Sequence, residues 1–177
     1  MRNVLLLVVF IAAILPAPCS LASTNSFIDA DADALLKLEN AVLTLEGDIN
    51  QSASTLNNQF NDFAQEQTAC LLELEQSVAN ISTELNIVRE LVALSVQMET
   101  PHDAANINSL LVIDAKSALK TITSARKYSL TQAATCSTSA LVNTYSQKSV
   151  ALADHATAAI SAIKDRLASN TNSQDHQ

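Results

Sequence analysis

Glycine is almost absent from this chain: there is 1 in 177 residues, with 3 prolines and no tryptophan. Sheets and tight turns draw on glycine, helices do not, so an all-β fold is excluded in practice. A glycine-rich loop for phosphate is excluded for the same reason. Aromatic side chains are also scarce, at 2 Tyr and 4 Phe, so the core has to be built from Leu, Ile, Val and Ala. Basic residues number 10 against 18 acids. An acidic chain has little to offer nucleic-acid phosphates.

The first 22 residues differ from the rest. Arg2 supplies a charge, Val4 to Leu15 form an apolar run of 12 residues, and Ser20-Leu21-Ala22 offers small residues before Ser23. That is the composition of a secretory signal peptide, and the run falls short of the ~20 residues that span a bilayer. Pro18 disfavours the rival reading, a lipoprotein signal ending at Cys19. The expected organisation is a signal peptide over 1–22, one helical domain over 23–168 and a disordered polar tail over 169–177. Cleavage would leave two cysteines, a net charge of −9, and a secreted, extracellular product with no transmembrane span.

The stretch from Cys70 to Met98 carries the clearest pattern. Leu71, Leu74, Val78, Ile81, Leu85, Val88 and Val92 follow at steps of three and four, one face of an α-helix. Pro101 ends it. Upstream, Leu35, Leu38, Val42, Leu45 and Ile49 form a narrower seam, with weak continuation through Leu56, Phe60 and Phe63. Gly47 predicts a kink in this helix rather than a loop, and Asp29, Asp31 and Asp33 are expected at its N-terminus. After Pro101 the spacing predicts a buried face of Ile107, Leu110, Leu111, Asp114, Ala118, Ile122 and Ala125. A fourth helix carries Leu141, Tyr145, Leu152, Ala156, Ala159, Ile163 and Leu167.

These elements fit either an antiparallel four-helix bundle or one long antiparallel helical hairpin. Leu72, Ile87, Leu91, Leu94, Val112 and Ile113 widen the apolar face of the central pair beyond a two-stranded seam, so the bundle is favoured, with the outer helices covering them. Residues 29–99 hold 13 acids and 2 bases, whereas residues 100–177 hold 5 acids and 7 bases, which suits antiparallel packing of the two halves.

Cys70 and Cys136 lie 31 and 35 residues from Pro101. An antiparallel crossing brings such positions within about one helical turn, so a structural disulfide is expected. Asn50-Gln51-Ser52 and Asn80-Ile81-Ser82 are glycosylation sequons, and Asn80 falls on the polar stripe of the central helix. Ile87 and Leu94 interrupt that stripe one heptad apart. Burial under the N-terminal helix is the plainer expectation for them, and an exposed interaction patch the alternative.

Other candidates are weak. Asp29, Asp31 and Asp33 are spaced like the start of a calcium loop, but Ala34 stands where glycine is needed and Asn40 where a bidentate Glu should close it. His102, His155 and His176 are scattered, so zinc and triad chemistry have no pattern to rest on. No catalytic residues and no cofactor are expected.

With its signal peptide, Ala/Ser/Thr-rich helical body and cysteines Cys70 and Cys136 in amphipathic helices, the chain resembles insect secreted helical proteins of the TsetseEP-domain type over roughly residues 60–165. The resemblance implies a secreted helical fold and supplies no site residue. The function expected is that of a non-enzymatic extracellular protein acting on a protein partner through its surface. The alternative is a carrier holding a small apolar ligand in the bundle interior.

Overall fold

A computed structural model describes residues 21–59, 61–98 and 101–174. Four helices account for nearly all of them: α1 (Leu21–Asn57), α2 (Asp62–Gln97), α3 (Pro101–Thr135) and α4 (Ala140–Gln174). At 1.5 Å per residue each is about 50–55 Å long. They run up and down in turn. α1 packs on α2, α2 on α3, α3 on α4, and α4 closes the ring on α1, while α2 also meets α4 across the centre. The fold is an all-α antiparallel four-helix bundle stapled by a Cys70–Cys136 disulfide.

Local chemistry sets the helix ends. α2 begins eight residues before Cys70, because Asn61 takes extended geometry and its side chain accepts the Ala64 N–H at 2.8 Å. Pro101 opens α3 at the position where a missing N–H costs nothing. Ser139 caps α4 by accepting the Val142 N–H at 3.2 Å. α1 passes unbroken through Gly47, and no loop forms there.

Three expectations need correction. Asp29, Asp31 and Asp33 lie inside α1 rather than at its start; Asp31 pairs with Arg166 of α4 and Asp33 with Lys37 at 2.6 Å. α4 continues to Gln174, so residues 169–174 are helical, because adding residues to an existing helix is easy. Phe63 is exposed, since the Asn61 cap rather than the apolar seam orients the first turn of α2. Residues 1–20 of the expected signal peptide, Phe60 and residues 175–177 lie outside the described residues.

The core confirms the seams of the first two helices. Leu35, Val42, Leu45 and Ile49 of α1 are buried, as are all seven positions of the α2 stripe. In α4 the buried face is turned relative to expectation, while α3 keeps most of its predicted face. Leu111, Ala115, Ala118, Ile122 and Ala125 face inward in α3, while Leu110 is exposed and Asp114 half-buried. In α4 the centre is Val142, Ser146, Ser149, Ala153, Ala156, Ile160 and Ile163, with Leu141, Tyr145, Leu152, Ala159 and Leu167 packed at its flanks. Four of these seven central positions are Ser or Ala, small side chains on the face of α4 that packs against α2 and α3.

The central serines are hydrogen-bonded rather than stranded. Ser77 donates to the Ala125 carbonyl at 2.9 Å, and the Ser77 and Ser129 hydroxyls lie 3.3 Å apart. Ser129 is also 2.8 Å from Ser149, so one chain of hydroxyls ties α2, α3 and α4 together.

Candidate functional site

The register of α2 against α3 is fixed at two levels. Cys70 and Cys136 are bonded, and Ser77 meets Ser129 seven residues further along α2 and seven back along α3. Continued towards the Pro101 turn, this register sets Leu94 level with Val112 and Ile113 level with Ala93. Ile87 and Leu94, on the side of α2 away from the core, are each 40% exposed, and Ile113 is 61% exposed. Leu72 and Leu110 are exposed as well.

This reverses the plainer expectation. The N-terminal helix does not cover Ile87 and Leu94, because α1 packs on the flank of α2 that carries Glu75 and Arg89. Asn50 donates to Glu75 at 3.0 Å and Arg89 meets Glu39 at 2.6 Å. The bundle forms, yet most of the wide apolar face that argued for it stays uncovered; only Leu91 and Val112 are half-buried.

Grooves flank the bundle on two sides among the described residues. The first, between α1 and α4, has a volume of about 310 Å³, with Leu45, Leu152, Ala41 and Ala151 in its wall and Lys148 and His155 beside them. The second, between α2 and α3, has about 390 Å³ and is more polar, with Glu73, Gln76, Asn80, Thr121, Ser124 and Tyr128 lining it. In the second, the Tyr128 hydroxyl donates to Glu73 Oε2 at 2.8 Å, and Gln132 Nε2 donates to the same oxygen at 2.5 Å. The hydrogen bond to Glu73, followed by desolvation and the carboxylate charge, pushes the Tyr128 pKa above its ordinary value.

Both sequon asparagines are exposed on helices. Asn50 is tied across to α2 through Glu75, whereas Asn80 Oδ1 accepts from Gln76 within its own helix at 3.5 Å. Ser52 of the first sequon sits 2.9 Å from the Tyr145 hydroxyl. Among the described residues no three of His, Cys, Asp and Glu come together as a metal site, and no helix is long and apolar enough to cross a membrane.

The Glu73–Tyr128–Gln132 cluster was not anticipated from the sequence. A usable signal exists: the register that pairs the cysteines sets Glu73 level with Ala133, next to Gln132 and just over a helical turn from Tyr128. No family model, curated protein or solved structure matches the chain.

Proposed function

We propose that this chain is a secreted, glycosylated, non-enzymatic protein that binds an extracellular protein through the outer face of α2 and the adjoining edge of α3. One observation carries the reading. Ile87 and Leu94 stand exposed one heptad apart on a helix whose opposite face is fully buried, and Ile113 of α3, level with Ala93, is exposed as well. Exposed apolar residues grouped on one face are the usual mark of an interaction surface. The two-cysteine pairing, the composition of residues 1–22 and the resemblance to insect secreted helical proteins support the extracellular placement. No nucleic acid, metal or cofactor enters the proposal.

The test compares the protein with an Ile87→Ser/Leu94→Ser variant for retention of partners from extracellular fluid. Helix content and melting temperature should be nearly unchanged in the variant, because both side chains are exposed. A partner retained by the parent and lost by the variant is the expected result. Equal retention by the two proteins contradicts the assignment.

The second reading, a carrier of a small apolar ligand, is favoured by the groove between α1 and α4 and its wall of Leu45, Leu152 and alanines. That site lies on the bundle's flank rather than in its interior. Native mass spectrometry of protein purified from a eukaryotic host separates the readings, since a carrier keeps a lipid-sized mass and the interaction protein does not.

A further inference from the structure

We propose that the groove between α2 and α3 seats the first sugar of a glycan attached at Asn80; the inference rests on the secretory reading above. Asn80 itself lines this groove, so its side chain is where a tethered sugar would enter. Tyr128 lies across from it on α3 with 41% of its surface exposed. Glu73 holds the hydroxyl of that tyrosine and is in turn held by Gln132, so the ring is fixed in place before any ligand arrives. Fixing the ring beforehand removes most of the ordering cost of a contact.

The chemistry of the groove suits N-acetylglucosamine. That sugar has an apolar C–H face, which packs on an aromatic ring, and a rim of hydroxyls with one acetamide, which needs hydrogen-bonding partners. Gln76, Thr121 and Ser124 supply such partners on the two walls. The Ser124 hydroxyl already donates to the Lys120 carbonyl at 3.0 Å and keeps its oxygen available to accept. A free sugar would bind so shallow a site poorly. Attachment to Asn80 changes this, because a short tether raises the effective concentration to the millimolar range. Asn50 lacks this arrangement: its amide nitrogen is engaged with Glu75.

The experiment uses the full chain secreted from a eukaryotic host, alongside a Tyr128→Ala variant. Each is studied with its native glycans, after trimming to a single N-acetylglucosamine, and after complete removal. The single sugar should raise the melting temperature of the parent by about 2–4 °C over the bare protein, and the gain should vanish in Tyr128→Ala. The same sequence with Asn50→Gln throughout confines the effect to Asn80. Ring protons of the sugar at Asn80 should also be shifted upfield in the NMR spectrum of the parent, and not in the variant. An occupied Asn80 with equal thermal gains in both backgrounds and unshifted sugar protons overturns the seating alone. A mass unchanged by glycosidase overturns it too, and shows that the glycosylation it rests on is what failed.

Discussion

The Cα atoms of Cys70 and Cys136 stand 6.6 Å apart, with Cys70 inside α2 and Cys136 in the turn that follows α3. The separation lies within the range that disulfides span. The bond closes a loop of 66 residues and fixes the register that Ser77 and Ser129 continue. Cys70→Ser/Cys136→Ser should lower stability by about 2–4 kcal/mol, with a fall in melting temperature of roughly ten degrees. Circular dichroism at room temperature should stay close to the parent's, because the core of the bundle does not depend on the bridge.

Gly47 sits in an exposed, unbroken part of α1, and a Cβ there meets nothing within 4 Å. Gly47→Ala should therefore stabilise the protein by about 0.5–1 kcal/mol, through higher helix propensity and a less flexible unfolded chain. Chemical denaturation at constant slope measures it.

Two buried serines should respond in opposite directions. Ser129 bridges Ser77 and Ser149; Ser77 keeps its bond to the Ala125 carbonyl in Ser129→Ala, but the buried Ser149 hydroxyl loses its partner, which should cost about 1–3 kcal/mol. The Ser146 hydroxyl is buried with no hydrogen-bond partner among the described residues, and Ser146→Ala should raise stability by about 1 kcal/mol. Paired urea titrations of the two variants give both signs.

Tyr128 should ionise at a pH above its ordinary value of 10.0, because its hydroxyl donates to Glu73 and ionisation would set two negative charges together. A pKa raised in the folded state stabilises below the unfolded value and loses that contribution as pH rises through the folded one. Stability from this contact is thus constant up to about pH 10 and declines above it. Ultraviolet titration should show the late transition in the parent, and Glu73→Ala should move it to lower pH.

The two halves of the fold differed in how readable they were. α1 and α2 carry large apolar side chains at regular steps, so Leu35 to Ile49 and Leu71 to Val92 could be placed in the core directly. In α3 and α4 many of the inward positions are Ala and Ser, among them Ala115, Ser129, Ser146, Ser149 and Ala153, which ordinary patterning scores as neutral or polar. The larger Leu141, Tyr145 and Leu152 drew the expected face round to the flank. Burial of Ser129 and Ser149 depends on partners from other helices, which only the assembled bundle brings within reach. The exposure of Ile87 and Leu94 was open for a related reason. Which flank of α2 receives α1 is decided by contacts such as Arg89 with Glu39, 50 residues apart in the chain.

The central claim is that this bundle is an extracellular protein carrying a Cys70–Cys136 disulfide, and peptide mapping of the secreted material tests it most directly. The full chain is produced in a eukaryotic host, the culture medium is collected, and the protein is digested without reduction. The account predicts an N-terminus at or near Ser23 and one cross-linked peptide pair joining Cys70 to Cys136 in monomeric protein. An intact Met1 retained in the cells, or free thiols at both cysteines, would contradict it.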